Sequence, residues 1–72
     1  LDSKTKLQEY SLRLYKKLPI YHFLSSKGPR HNPIFKISVT IEGSKKFIGF
    51  GNSKKQAQQE AAGNLLKSIN IN

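Results

Sequence analysis

Apolar and polar side chains alternate at every position from Phe35 to Glu42. Because successive side chains of a β-strand point to opposite faces, this alternation predicts a strand from Ile34 to Glu42. Its apolar face would carry Phe35, Ile37, Val39 and Ile41, and its polar face Lys36, Ser38, Thr40 and Glu42. A strand with one apolar and one wet face is typical of an antiparallel sheet, which needs cover on one side only.

Two further strands are predicted beside this one. The segment from Ile20 to Ser26 carries aromatic residues in alternation, and the segment from Lys46 to Gly51 follows a predicted hairpin turn at Gly43-Ser44-Lys45. Residues 27–33, between the first two strands, contain one glycine and two prolines, which predicts a stiffened loop.

Helical spacing of apolar residues predicts one helix on each side of the strands. The first runs from Ser3 to Lys17, with Asp2 as its cap; its inward stripe is Leu7, Ser11, Leu14 and Leu18, with Tyr10 beside it. The last runs from Ser53 to Asn70, with fraying expected over residues 69–72; its buried stripe is Ala57, Ala61, Leu65 and Ile69, joined by Ala62 and Leu66. Gly63 weakens this helix by about 1 kcal/mol relative to alanine.

The order α-β-β-β-α predicts an α+β fold. Two helices would pack on the one apolar face of a three-stranded antiparallel sheet. A chain of 72 residues allows a single domain with one small core. The chain contains no methionine and begins at Leu1, so we expect residues 1–72 to be a fragment of a longer protein.

The charge balance predicts a polyanionic partner. Thirteen lysine and arginine residues face four acids, which gives a formal charge of +9. The alternatives are a merely soluble surface, or binding of DNA or anionic lipid by charge alone. The absence of cysteine excludes disulfides and thiolate metal sites and fits a reducing compartment. No apolar run is long enough for a membrane span, and no signal peptide is recognisable.

Cations stand at the predicted start of the last helix, in Ser53-Lys54-Lys55. Ser53 can cap this helix, and Gln56 completes a capping box. The two lysines then lie at the positive end of the helix dipole, where a cation costs roughly 0.3–1 kcal/mol. Free backbone N–H groups and two ammonium groups at one helix start favour phosphate. The alternative is a pair of solvated lysines.

Four sequence blocks together resemble the double-stranded-RNA-binding domain, and in detail the C-terminal domain of bacterial ribonuclease III. They are Asp2-x-Lys4-Thr5-x-Leu7-Gln8-Glu9-Tyr10, Leu18-Pro19-x-Tyr21, Gly28-Pro29-x-His31-x-Pro33-x-Phe35 and Gly49-x-Gly51-x-Ser53-Lys54-Lys55-x-Ala57. The resemblance covers nearly the whole chain, and the first block is what points to ribonuclease III. It implies shape-selective binding of A-form duplex RNA across two successive minor grooves and the phosphates between them.

The resemblance also implies which residues contact RNA. Three residues on one face of the first helix would read a minor groove: Thr5, Gln8 and Glu9. Three loop residues would reach the next minor groove: Arg30, His31 and Asn32. Four residues at the start of the last helix would contact the phosphates: Ser53, Lys54, Lys55 and Gln58. Leu12 and Gln58 depart from the residues that the family often has at these positions.

No catalytic or metal-binding constellation is visible, because the four acids and two histidines lie on separate elements. We therefore expect no enzymatic activity and no cofactor in this chain. The resemblance implies a parent endonuclease, a hydrolase that cuts double-stranded RNA in rRNA processing in the cytoplasm. Its upstream catalytic domain would use a divalent metal such as magnesium and form a homodimer.

A rival class is a domain of the same fold used for protein contact or dimerisation. Its mark would be an exposed apolar face together with loss of the basic helix start. The basic start is present, and Leu12 is the only residue predicted to favour this alternative. The aromatic segment 46–51 faintly resembles the strand motif of RNA-recognition motifs, but the order of elements does not fit that four-stranded fold.

Overall fold

The computed structural model describes residues 2–71 and confirms the predicted α-β-β-β-α order. The elements are α1 (Ser3–Tyr15), β1 (Ile20–Lys27), β2 (Ile34–Thr40), β3 (Phe47–Gly51) and α2 (Lys54–Ser68). The strands form one antiparallel sheet in the order β1-β2-β3. Helix α2 packs across β3 and β2, and α1 packs on α2. The predicted α+β class and its layers are therefore confirmed.

The central strand β2 defines two faces of the sheet. Its inner face, toward the helices, carries Ile37 and Val39, which are 2% and 0% exposed. Its outer face carries Lys36, Ser38 and Thr40, as the alternation predicts. Ser38 is nevertheless fully buried, and its hydroxyl has no hydrogen-bond partner among residues 2–71. The prediction of a wholly wet outer face is wrong at this position, because the short side chain lies between the paired residues His22 and Ile48.

Two glycines of β3 allow α2 to lie directly on the sheet. A Cβ atom at Gly49 would stand 2.2 Å from the backbone nitrogen of Ala61, and one at Gly51 would stand 2.6 Å from that of Ala57. The backbones of β3 and α2 therefore contact each other directly, and both alanines are fully buried. The predicted alanine-rich stripe is confirmed: Ala57, Ala61, Ala62, Leu65 and Leu66 are all buried.

Helix α1 ends earlier than predicted. Lys16 adopts a left-handed conformation with φ of 60°, and its N–H donates to the Leu12 carbonyl oxygen. This left-handed cap turns the chain, so the helical spacing no longer applies beyond it. Leu7 and Ser11 are buried as predicted, but Leu14 and Leu18 are 51% and 60% exposed. Their predicted burial is wrong.

Strand β1 contains an irregularity that the sequence does not reveal. Phe23 pairs with Ile37 and Ser25 pairs with Lys36, so Leu24 is an extra residue.

The prediction that Leu12 alone favours a protein-contact surface is also wrong. Besides Leu12, further large apolar residues are exposed: Leu14, Tyr15, Leu18, Ile20, Phe23, Leu24, Ile34 and Phe50.

The end of α2 is packed rather than free. The helix stops at Ser68, two residues before the predicted end. Ile69 and Ile71 are partly buried against the core, and the Ile71 N–H donates to the Leu66 carbonyl oxygen. The predicted fraying is therefore not seen at these residues, and its last position, Asn72, lies outside the described residues.

Candidate nucleic-acid interface

The start of α2 presents cations on a capped helix end. Ser53 has the extended backbone of an N-cap, and its hydroxyl accepts a hydrogen bond from the Gln56 N–H at 3.1 Å. The Gln56 side chain reaches back to the N–H of Asn52 at 3.0 Å, one residue before the predicted partner. The first turn contains no acid, and Lys54 and Lys55 are both exposed. This end of α2 therefore remains open to an anion.

The exposed face of α1 carries the predicted minor-groove residues. Thr5, Gln8 and Glu9 are all exposed. The Thr5 hydroxyl donates to the Asp2 carboxylate at 2.7 Å, so its proton is engaged within the helix cap. The side chains of Gln8 and Glu9 make no hydrogen bond to other residues between 2 and 71. They can therefore contact a ligand without breaking an internal bond.

Asp2 and two glutamines fix the start of α1 against α2. Gln59 donates to the Asp2 carboxylate and accepts from the Lys4 N–H at 3.1 Å. The Lys4 ammonium donates to the Gln58 side-chain oxygen at 2.7 Å. The hydrogen bond from Gln59, followed by those from Thr5, lowers the pKa of Asp2 to about 2. Gln58 thus positions α1, while its predicted contact with RNA stays a prediction.

The loop 28–33 is held by its own backbone and by one side chain from outside it. Gly28 has a φ of 89°, which favours glycine, and the Asn32 N–H donates to the Pro29 carbonyl oxygen at 3.0 Å. The Asn52 amide, just before α2, donates to the Asn32 side-chain oxygen at 3.1 Å and to the Pro33 carbonyl oxygen at 2.9 Å. The loop is therefore tied to the start of α2.

The side chains at the tip of this loop are exposed to solvent. Arg30 and His31 are exposed, and their side chains make no hydrogen bond or ion pair within the part of the chain that the structure describes. Asn32 is exposed too, but its side-chain oxygen already accepts from Asn52. Two of the three predicted loop residues are thus available to a ligand, and the third holds the loop.

The first two turns of α2 connect the three predicted regions. They bond to the start of α1 through Gln58 and Gln59, and Asn52, two residues before the helix, bonds to the loop. Sequence reasoning missed Asn52 because its partners lie 19 and 20 residues away. The three regions are therefore parts of one hydrogen-bonded surface.

Three of the four acids are already engaged by other residues of the domain, and basic residues dominate the surface. Glu42 accepts from Lys17 at 2.9 Å, and this contact raises the pKa of Lys17. Glu60 accepts from the Phe50 N–H at 2.8 Å, and Asp2 lies in the helix cap. With a formal charge of +9, the domain attracts polyanions over distances up to the Debye length, about 10 Å at 0.1 M salt.

Within residues 2–71, no group of three or more histidine or acidic side chains lies close enough to hold a metal ion. The helices in the same range are too short or too polar to cross a membrane.

Curated relatives match almost the full length of the chain. Ribonuclease 3 of Pelagibacter ubique (strain HTCC1062) is 52% identical over 69 residues, and that of Anaplasma marginale (strain Florida) is 43% identical over 68 residues. These matches cover 96% and 94% of this chain but only 31% and 29% of the relatives. The chain thus spans less than a third of their length.

Solved structures share the fold. The two double-stranded-RNA-binding domains of DRB4, in a solution structure with their linker, match with a TM-score of 0.71 and 34% identity, covering 96% of this chain and 44% of that one. The first such domain of HYL1 matches with a TM-score of 0.68 and 32% identity, covering 92% and 93%. Residues 3–69 match the family model described as the double-stranded RNA binding motif. The chain therefore belongs to the double-stranded RNA binding motif family, as its four sequence blocks predict, and it is similar to part of ribonuclease 3.

Proposed function

We propose that this domain binds A-form double-stranded RNA by its shape, with little preference for sequence. In this proposal Thr5, Gln8 and Glu9 of α1 contact one minor groove, and Arg30, His31 and Asn32 contact the next. The start of α2, with Ser53, Lys54, Lys55 and Gln58, contacts the phosphates that line the intervening major groove. Side chains cannot read bases in that deep, narrow groove, so phosphate contacts are the chemistry that suits it.

The observation that carries this proposal is the connection of all three regions through the start of α2. A surface that spans two minor grooves must hold its contacts at a fixed separation, because a duplex is a stiff, regular ligand. Hydrogen bonds that Lys4 of α1 donates to Gln58 and Gln59, and that Asn52 donates to the loop, supply that fixed separation. Holding the surface in place before binding lowers the entropy cost of association.

A titration with three ligands of equal length tests the proposal. Duplex RNA, duplex DNA and single-stranded RNA carry similar backbone chemistry but differ in helical shape. We expect duplex RNA to bind most tightly at a fixed salt concentration, and affinity to fall steeply as salt rises. Equal affinity for all three ligands would show that charge alone drives binding.

We further propose that residues 1–72 form the substrate-binding module of a longer ribonuclease III. The 52% identity to a ribonuclease 3 supports this, as does the small share of that relative that the chain spans. The parent would be an endonuclease that cuts double-stranded RNA in the cytoplasm, with rRNA precursors among its substrates. A divalent metal such as magnesium would belong to its upstream nuclease domain, which would also form the homodimer.

Protein contact is the second candidate function, and the outer face of the sheet favours it. Phe50 and Ile34 on this face are 48% and 42% exposed. The two helices, which carry most of the proposed RNA contacts, lie on the other face. Both residues would therefore stay accessible while RNA is bound. Sedimentation of the domain with and without Phe50→Ser tests this. A self-association that disappears in the variant supports the second candidate, and a monomer at all concentrations contradicts self-association.

A further inference from the structure

Phe23 is an exposed aromatic residue on the face of the sheet that the helices cover. It pairs with Ile37, a buried inner-face residue, yet 53% of its surface is exposed. The reason is that α2 packs across β3 and β2, while Phe23 lies on the edge strand β1. Its ring packs against the Phe35 ring at a centroid distance of 6.1 Å, with the planes tilted by 59°. One side of the Phe23 ring thus packs against Phe35, and another side stays accessible.

Lys54 lies over this ring. Its ammonium nitrogen is 5.2 Å from the ring centroid of Phe23, within the range of a cation–π contact. The negative face of the ring attracts the ammonium group and opposes the repulsion from the positive end of α2. A lysine side chain would otherwise sample many rotamers, and these must be given up when it binds a phosphate. The ring therefore restricts Lys54 before any ligand arrives.

The same arrangement occurs at the start of the other helix. Tyr21 lies two residues before Phe23, on the same face of β1, and the Lys4 ammonium is 5.4 Å from its ring centroid. Lys4 stands in the first turn of α1, as Lys54 stands in the first turn of α2. Each helix thus begins with a lysine over an inner-face aromatic residue of β1.

The two lysines differ in what they can still bind. Lys4 is half-buried and already donates to Gln58, so its role is to hold α1. Lys54 is exposed, and its ammonium makes no hydrogen bond or ion pair to residues within the described range 2–71. Its three donors therefore remain available to an anion.

We propose that Phe23 is a positioning residue for RNA binding, which holds the Lys54 ammonium in place for a phosphate. The inference rests on the proposed function, since it assigns to Lys54 the phosphate contact. Phe23 then influences affinity through Lys54 rather than through a contact of its own. Lys55 has no comparable ring contact within residues 2–71, so the two neighbouring lysines differ in how far they are ordered.

A double-mutant cycle on duplex RNA affinity tests this role. The variants are Phe23→Leu, which keeps apolar bulk but removes the ring, Lys54→Ala, and the two combined. Phe50→Leu is the matched control, because Phe50 is similarly exposed and lies under Lys36 at 5.9 Å, but on the outer face. We expect Phe23→Leu to weaken binding about two- to five-fold, the range of an exposed cation–π contact. Phe50→Leu should have no effect, and Phe23→Tyr should keep the affinity of the unmodified chain.

The Lys54→Ala background decides between positioning and a direct contact. If Phe23 acts through Lys54, Phe23→Leu costs nothing further once Lys54 is gone. An equal loss in both backgrounds, or an equal loss in Phe50→Leu, would overturn the inference while leaving the proposed function intact. If Lys54→Ala itself has no effect on affinity, both the inference and the phosphate role of Lys54 are wrong.

The contact can also be measured in the free domain. Protons above an aromatic ring shift upfield in NMR spectra, so the ε-methylene protons of Lys54 should lie upfield of those of Lys55. Phe23→Leu should abolish the difference, and thermal melting should show that this variant still folds. Equal shifts for the two lysines in the unmodified chain would overturn the positioning role whatever the RNA titration shows.

Discussion

The Asn52 side-chain amide donates to the Asn32 side-chain oxygen at 3.1 Å and thereby joins the start of α2 to the loop between β1 and β2. A second bond from the same amide reaches the Pro33 carbonyl oxygen at 2.9 Å. One exposed residue thus fixes the loop that carries Arg30 and His31 relative to the helix start that carries Lys54.

Asn52→Ala should loosen this loop and weaken binding to duplex RNA. The variant removes two exposed hydrogen bonds, each worth about 0.5–1.5 kcal/mol, so we expect affinity to fall about five-fold or more. Asn64→Ala is the matched control, because it removes a hydrogen bond from a side-chain amide to the Ile48 carbonyl oxygen at 2.8 Å, away from the loop. Affinity is compared at equal folded fractions. Equal losses in the two variants would show that the bonds from Asn52 to the loop make no specific contribution to binding.

Gly49→Ala should destabilise the fold severely. The added Cβ would stand 2.2 Å from the Ala61 nitrogen and 2.3 Å from the Ala57 carbonyl oxygen, so α2 must move off the sheet. We expect a loss of about 3 kcal/mol or more in the free energy of unfolding, at the upper end of overpacking effects.

Gly43→Ala is the comparison, measured by the same urea titration. Its Cβ would meet no atom of the described residues within 4 Å, although the φ of 74° is strained for alanine. We expect a cost of about 1 kcal/mol there. A smaller loss at Gly49 than at Gly43 would mean that the close approach of α2 and β3 is not needed for stability.

Lys54→Ala combined with Lys55→Ala should weaken RNA binding far more than Lys45→Ala combined with Lys46→Ala. Both double variants remove two charges from neighbouring exposed lysines, but only the first pair lies at a helix start. The slope of log affinity against log salt should shrink by about one for each phosphate contact that is lost. If the two double variants bind alike, net charge rather than helix placement is the mechanism.

The domain should lose stability in acid through Asp2. The hydrogen bonds from Gln59 and Thr5 lower its pKa from 3.8 to about 2 in the folded state. Between these two values the unfolded chain binds more protons than the folded one, so stability rises with pH there. The contribution of Asp2 is fully present above about pH 4 and is lost as the pH falls toward 2.

Asp2→Asn separates this contribution from that of the other acids. The variant keeps a cap acceptor, and its melting temperature should vary less between pH 4 and pH 2 than that of the unmodified chain. Identical acid profiles for the two proteins would show that the cap carboxylate does not titrate as described.

Local pattern was enough to predict the elements of this fold, because each pattern acts within one strand or helix. The alternation in β2 predicts the burial of Ile37 and Val39, though not that of Ser38, and the alanine stripe of α2 predicts the burial of its alanines. Contacts between elements were not predictable in this way. The bonds from Asn52 to Asn32 and from Lys4 to Gln58 depend on how distant segments pack, and polar exposed residues give no periodic signal.

The errors at Leu14 and Leu18 have different physical sources. Leu18 fits a helical stripe in sequence, but the left-handed cap at Lys16 ends α1 before it, whereas Leu14 lies in the last turn of α1, on a part of the helix that stays exposed. Helix α1 packs on α2 rather than along the sheet, so only the stretch through Leu7 and Ser11 is covered. The sequence shows which residues of a helix could be buried, but not how much of the helix packs against the rest of the fold.

Gln8→Ala combined with Glu9→Ala should reduce the preference for RNA over DNA rather than affinity for every polyanion. Both side chains are exposed and make no hydrogen bond within the described range 2–71, and 2′-hydroxyl groups offer them donors that DNA lacks. We expect affinity for duplex RNA to fall about ten-fold while affinity for duplex DNA stays constant or rises, because removal of Glu9 also removes a negative charge. The Lys54 and Lys55 double variant should weaken both duplexes together. The measurement is the ratio of the two dissociation constants at one salt concentration. An unchanged ratio after loss of Gln8 and Glu9 would show that α1 does not distinguish the two kinds of duplex.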